Sequence, residues 1–92
     1  MTPSERGDRA KQILEDVVFV EMFEHVRASI VAQLESSAFG DAETHHQAAI
    51  SLQLLKRLRD TLVRFVDVGK AEQIKQRDAE FSQTVRKSIR RP

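Results

Sequence analysis

The sequence predicts an all-α protein, and three observations favour this class. The 92 residues include only three glycines and two prolines, and the prolines stand near the two ends, at positions 3 and 92. The interior is rich in Leu, Ala, Glu, Gln, Arg and Lys, which are favourable helix formers. Apolar residues recur at helical spacing in two long segments, 17–38 and 42–68. We therefore expect a single domain, 1–92, containing an antiparallel helical hairpin.

A short helix is expected over 8–16, after a frayed start at residues 1–7. Asp8 is suited to cap this helix, because an aspartate side chain accepts a hydrogen bond from the N–H groups of the first turn. Asp16 is suited to cap a second helix, which would bend the chain near 15–17. A helix that continues straight through this region stays open as an alternative, since Val17 is not a helix breaker.

The first long helix, 17–38, and the second, 42–68, are expected to pack through one apolar stripe each. Between them Gly40 suits a left-handed helix end, and Asp41 suits the next N-cap. Gly69 predicts the end of the second helix. The residues expected to hold the hairpin together are Phe19, Phe23, Val26 and Ile30 in the first helix, and Leu55, Leu58, Leu62 and Phe65 in the second.

Each long helix carries more apolar surface than one partner helix can cover. The second has a further row that includes Ile50 and Leu54, and the first adds Met22. Domains of this size bury a small share of their surface and are marginally stable alone. We therefore expect a homo-oligomer. The alternative is a monomer in which 8–15 and 71–89 cover the excess.

Positive charge is concentrated in a basic C-terminal helix or tail, 70–92. Residues 1–69 contain 8 Lys/Arg and 11 Asp/Glu, a net charge of −3, whereas residues 70–92 contain 7 Lys/Arg and 3 Asp/Glu, a net charge of +4. Such a tail attracts a negatively charged partner, either the phosphates of DNA without sequence preference or an acidic protein surface. The residues expected to bind the partner are Arg86, Lys87, Arg90 and Arg91, together with Lys75 and Arg77.

The sequence contains no recognisable catalytic motif. The chain has no cysteine, no Gly-x-Ser-x-Gly motif and no glycine-rich loop for phosphate. Glu43 and His46 match the Glu-x-x-His spacing of di-iron bundles, but the motif lies in the first turn of a helix, and the adjacent His45 points about 100° away. We therefore expect neither an enzyme nor a metal or other cofactor. The alternative hypothesis is a metal enzyme in which Glu43 and His46 bind the metal.

The first 30 residues hold no long apolar run behind a basic start, so no signal peptide and no transmembrane span are predicted. A cytoplasmic protein without membrane partners is expected.

The segment 9–70 resembles short helical proteins of tailed phages, prophages and gene transfer agents. The resemblance rests on ILED before the first apolar helix, DAE after the turn, LLKRLRDTL in the second long helix and VGK at its end. It covers about two thirds of the chain and is one of pattern. Relatives often have proline directly after the aspartate of ILED, where this chain has Val17.

The resemblance implies a role in phage-type head assembly or DNA packaging, with small-terminase-like subunits as the nearest type. Those proteins form rings through helical hairpins, recruit the large packaging motor (the large terminase) and lack ATPase activity. This chain has no recognisable helix-turn-helix, so it is not expected to read a packaging-start sequence. A head or neck component, or a small helical adaptor that binds a protein without DNA, remains as an alternative. A phage-encoded protein of this kind would act in the host cytoplasm.

Overall fold

The structure, a computed structural model, describes residues 1–89 and the side chains of residues 1–86. The chain forms three helices, α1 (Pro3–Glu15), α2 (Val17–Ser36) and α3 (Ala42–Ile89). Residues 1–89 contain no strand. The predicted all-α class is therefore confirmed. Within this part of the chain, no helix is both long enough and apolar enough to cross a membrane.

Helix α1 begins earlier than predicted, because Thr2 rather than Asp8 caps it. The Thr2 hydroxyl accepts a hydrogen bond from the Glu5 N–H at 3.1 Å. Pro3 occupies the first turn, where a helix does not use the N–H that proline lacks. The prediction of a frayed start over 1–7 is therefore wrong, and Asp8 is an exposed residue inside α1.

Asp16 is the single residue that separates α1 from α2. Its backbone is extended, with φ −68° and ψ 125°. Its N–H donates to the Ile13 carbonyl at 3.2 Å, and its side chain accepts from the Phe19 N–H at 2.9 Å. One residue thus ends the first helix and caps the second. Of the two alternatives left open by the sequence, the structure has the bend.

The turn between α2 and α3 is held by Ser37 and Asp41. The Ser37 N–H and hydroxyl both donate to the Leu34 carbonyl, at 3.3 and 2.6 Å, and α2 ends at Ser36 rather than at 38. The left-handed conformation predicted for Gly40 is wrong, since none of the three glycines has a positive φ. The serine hydroxyl satisfies the carbonyl at the helix end without a left-handed residue.

Helix α3 continues through Gly69 and is much longer than predicted. Its 48 residues extend about 72 Å at the usual rise of an α-helix. The prediction that the second long helix ends after 68 is therefore wrong. The prediction of a separate tail from 70 is also wrong, because α3 continues to Ile89. Gly69 is buried against α1, where a Cβ would lie 3.0 Å from the Pro3 carbonyl oxygen and 3.1 Å from the Gly7 Cα. This glycine allows close packing of two helices and does not end one.

Both short helices lie along α3 and run opposite to it. The Ser4 N–H donates to the Glu72 carboxylate at 3.0 Å, near the start of α1. The Arg59 guanidinium lies 5.9 Å from the centre of the Phe23 ring, and the turn brings α2 back onto the beginning of α3. The role of 17–38 and 42–68 as an oligomerising hairpin stays a prediction.

The face of α3 that contacts α1 and α2 follows a three- and four-residue spacing. Its positions are buried or half-buried except Arg59, whose guanidinium lies over Phe23. This spacing keeps one stripe of a long helix facing its neighbours. The positions are Ala48, Leu52, Leu55, Arg59, Leu62, Val66, Gly69 and Gln73.

The chain has almost no core of its own. Among the described residues the only buried hydrophobic side chains are Ala10 and Ala48. Of the predicted core residues, six are half-buried, whereas Val26 and Leu58 are exposed, at 38% and 59%. Leu58 lies at the edge of the contact stripe, three residues after Leu55 and four before Leu62, so it adds little to the packing within one chain. The six half-buried residues are Phe19, Phe23, Ile30, Leu55, Leu62 and Phe65.

The molecule is a rod of 81 × 25 × 18 Å, with a radius of gyration of 22.0 Å. A compact domain of 92 residues would have a radius of gyration of about 12 Å. The accessible surface is 7881 Å², against about 5,400 Å² for a compact protein of this mass. A single chain therefore leaves about 2,500 Å² more surface in water than a compact fold would.

Candidate interaction surfaces

A clasp between α1 and the middle of α3 determines where the C-terminal part of α3 becomes free of the rest of the chain. The Ser4 hydroxyl accepts from the Gln73 side-chain amide at 2.9 Å, beside the bond from the Ser4 N–H to Glu72. The Arg6 guanidinium lies 5.4 Å from the centre of the Phe65 ring, within cation–π distance. These contacts hold the start of α1 at Gln73, and α3 extends beyond it.

Residues 74–86 form a projecting arm, defined here as the part of α3 beyond the clasp whose side chains are described. Every one of these residues is exposed. Because no side chain of the arm is buried, its surface is free to meet another molecule, and its helical form receives little support from tertiary packing.

The predicted basic site residues lie on this arm or beyond it. Lys75, Arg77 and Arg86 are exposed. Lys75 and Arg86 are eleven residues apart and share one side of the helix, whereas Arg77 lies about 160° from Lys75. The cations therefore surround the arm and do not form one basic face. Arg90 and Arg91 lie outside the described residues, as does the Lys87 side chain.

The arm also carries an apolar stripe that the basic-tail prediction does not use. Ile74, Phe81 and Val85 follow the spacing i, i+7, i+11, which places them on one side of a helix. They are exposed at 58%, 70% and 38%. Helices that dock into grooves of other proteins present anchors at such spacing. The signal was present in the sequence, but it becomes informative only when the structure shows that all three side chains are exposed.

A groove of about 470 Å³ lies between α2 and α3 on one side of the molecule. Phe23, Val31, Leu55 and Val63 form apolar parts of its lining, and charged residues including Arg59 line it as well. The groove contains no cluster of acids, histidines or nucleophiles, and it offers an apolar cleft with charged walls.

The histidines considered as metal ligands have different surroundings at the start of α3. His45 Nε2 and the Ser37 hydroxyl share a hydrogen bond at 2.9 Å, whereas His46 and Glu43 are exposed at the start of α3. In the described part of the chain, no three His, Cys, Asp or Glu residues are grouped as metal binding requires. The histidine beside the turn has a structural partner there.

Asp41 caps α3, and its carboxylate is stabilised in the charged form. The Thr44 hydroxyl donates to it at 2.6 Å and the Thr44 N–H at 3.1 Å. The side-chain bond from Thr44 is the main cause that lowers the pKa of Asp41 below its usual 3.8, followed by the backbone bond, with a further contribution from nearby His45. This carboxylate links the turn and the start of α3.

No family model, curated protein or solved structure matches the chain.

Proposed function

We propose that this chain is a non-enzymatic subunit of a helical homo-oligomer, assembled through the hairpin of α2 and α3, that contacts a negatively charged partner through its C-terminal end. The partner that fits the resemblance to phage-type proteins is DNA, bound without sequence preference, or the large packaging motor. On this proposal the protein acts in the cytoplasm as a small-terminase-like packaging subunit.

The observation on which this proposal rests is the shortage of internal packing. Only two hydrophobic side chains are buried in the described chain, and the molecule is a rod. Burial of apolar surface is the dominant favourable term in folding, so a chain with so little of it needs a further source of stability. Association with other copies supplies that source.

The charge distribution supports the second half of the proposal. Within the arm, three basic and two acidic residues give a net charge of +1, and the following residues, 87–92, add three basic residues and no acidic ones. The positive charge of the sequence is therefore concentrated after the clasp, towards the C-terminal residues. Clustered basic residues of this kind are suited to bind phosphate groups.

Neutralisation of the tail tests the DNA contact. We expect replacement of Arg86, Lys87, Arg90 and Arg91 by glutamine to abolish most of the binding to duplex DNA, measured by fluorescence anisotropy. If each residue contacts one phosphate, the four contacts weaken binding roughly 100-fold between 50 and 200 mM salt, and the variant loses this salt dependence.

A matched variant controls for the loss of four charges. Lys11, Lys56, Arg57 and Arg64 are also exposed but lie outside the tail, and their replacement by glutamine should leave most of the DNA binding intact. Equal losses in the two variants would show that net charge, and not the tail, causes binding. Wild-type protein that binds no DNA at 50 mM salt would reject DNA as the partner.

The apolar stripe of the arm favours a second candidate function, in which a head or neck component or a helical adaptor binds a protein without DNA. Ile74, Phe81 and Val85 would enter a groove of that partner. Binding through them would resist salt, whereas phosphate contacts would not. Loss of partner binding in Phe81→Glu, with no effect of tail neutralisation, would favour this function over packaging.

A further inference from the structure

One side of the α2–α3 pair presents an apolar surface with few charges, which we call the neutral face. Val18, Met22 and Val26 contribute it from α2, and Ile50, Leu54 and Leu58 from α3. In each helix the three residues are four apart, so they lie in one narrow strip. All six are exposed, between 38% and 71%.

The groove shows that the two strips belong to the same side of the molecule. Val31 of α2 and Val63 of α3 both line the groove, so they lie on one common side. Met22 precedes Val31 by nine residues and Leu54 precedes Val63 by nine, which is about 180° around a helix in both cases. Met22 and Leu54 therefore lie together on the side opposite the groove.

Most charged residues of both helices lie away from the neutral face. On α2 the cations and acids fall at Glu21, Glu24, Arg27 and Glu35, and all of them point within about 60° of Glu24. An arc of about 240°, which contains the strip, is left without Asp, Glu, Lys or Arg, and His25 lies within it, about 20° from Val18. On α3, Ser51 lies on one side of the strip and the exposed Arg57 on the other, each about 60° from Leu54.

This composition selects the chemistry of the occupant. DNA or an acidic protein would gain little from an apolar surface with one cation, Arg57, at its edge, whereas a second neutral face can meet it with Arg57 left at the rim of the contact. Because the same patch serves both chains, a two-fold axis gives each exposed apolar residue an apolar neighbour. The opposite side, where Arg27, Lys56 and Asp60 line the groove, would place charges in such a contact.

The chain as a whole has enough surplus surface for such a contact. A standard interface takes about 800 Å² from each partner, roughly one third of the 2,500 Å² by which this chain exceeds a compact protein. The remaining excess leaves the arm free for a different partner.

We propose that the neutral face binds the neutral face of a second copy, so that α2 and α3 of two chains form a four-helix unit around a two-fold axis. This inference rests on the self-association in the proposed function and names its surface. A two-fold contact closes on itself, so the unit is a dimer, and any larger assembly is built from dimers through other surfaces.

The mass in solution of paired charge variants tests the proposal. By light scattering on a sizing column, Leu58→Glu should shift the protein from a multiple of two chains towards the 10.5 kDa of one chain. In a dilution series, its dissociation constant should rise at least about tenfold, because a buried carboxylate without a partner is unfavourable. Val63→Glu is the matched control, since Val63 is also an exposed apolar residue of α3 but lies on the groove side.

The outcomes separate this inference from the proposed function. Leu58→Glu with the wild-type mass, or dissociation by Val63→Glu alone, would overturn the neutral face and leave self-association standing. Wild-type protein with the mass of one chain at about 100 µM would overturn both.

A crosslinking experiment covers the case in which Leu58→Glu fails to fold. The chain has no cysteine, so one introduced thiol reports on one position. Leu54→Cys, at the centre of the neutral face, should form a crosslinked dimer with a short bismaleimide, whereas Gln53→Cys, about 100° around the helix, should not. Equal crosslinking of the two variants would contradict the proposed surface.

Discussion

Gly7 and Gly69 bring α1 and α3 together through backbone atoms. Their Cα atoms lie so close that a Cβ on either glycine would stand 3.1 Å from the Cα of the other. Glycine inside a helix costs about 1 kcal/mol relative to alanine, so each of these residues lowers the intrinsic stability of its helix. The close contact between the two backbones offsets this cost.

Gly7→Ala should lower the free energy of unfolding. Its Cβ would lie 2.8 Å from the Phe65 carbonyl oxygen, and a backbone atom cannot rotate away as a side chain would. Overpacking of this kind typically costs about 1–3 kcal/mol, which exceeds the gain of about 1 kcal/mol in helix propensity. Urea unfolding followed by circular dichroism measures the difference.

Gly40→Ala is the control for this substitution. No atom lies within 4 Å of the Cβ position at Gly40, and its φ is not positive. The variant should therefore match the wild type or gain a few tenths of a kcal/mol from a less flexible unfolded chain. A Gly7→Ala variant as stable as Gly40→Ala would show that the two helices do not approach so closely in solution.

At the scale of whole helices, the sequence predicts local features better than distant ones. The break at Asp16 and the cap at Asp41 can be proposed from sequence because each depends on a hydrogen bond three residues away. Asp8 has the same local chemistry, yet Thr2 followed by Pro3 starts the helix first. The helix end predicted at Gly69 is wrong because the residue that Gly69 contacts, Gly7, is 62 residues away. No local sequence pattern distinguishes a glycine that packs against another helix from a glycine that ends a helix.

The cap of α3 predicts a pH dependence of stability. The pKa of Asp41 is lowered in the folded chain, chiefly by the Thr44 side chain. Its stabilising contribution is therefore fully present above the usual value of 3.8 and is lost as the pH falls through the lower folded value. We expect wild-type protein to lose more stability between about pH 5 and pH 2 than Asp41→Asn, because asparagine caps a helix without a charge.

Urea unfolding at several pH values measures this difference between the two proteins. Asp67→Asn, in the middle of α3, is a matched control for the removal of one aspartate from this helix. If Asp41→Asn follows the wild type down to pH 2, the Thr44 hydrogen bonds do not stabilise the charged carboxylate.

At the scale of the whole molecule, the sequence predicts the amount of apolar surface but not how the chain distributes it. The stripe proposed for α3 contains Leu58 and Phe65, whereas the contact face also uses Val66 and Gly69. Both sets of residues fit a helical period. The packing of α1 and α2 against α3 decides which set is covered. The basic tail could be proposed from charge alone, whereas the neutral face required knowledge of which side of each helix is already occupied.

Coupling between folding and association gives the last prediction. If a second copy supplies most of the buried apolar surface, the melting temperature must rise with protein concentration, because mass action favours the associated native state. For a two-chain unit, each tenfold increase in concentration adds about 1.4 kcal/mol, which corresponds to a rise of about 3–4 °C at the usual unfolding entropy of about 2.1 cal/mol/K per residue. Thermal unfolding followed by circular dichroism at protein concentrations from about 2 to 200 µM covers two such tenfold increases. A melting temperature that stays constant over this range would show that one chain is stable alone despite burying only Ala10 and Ala48, and self-association would then lose its energetic basis.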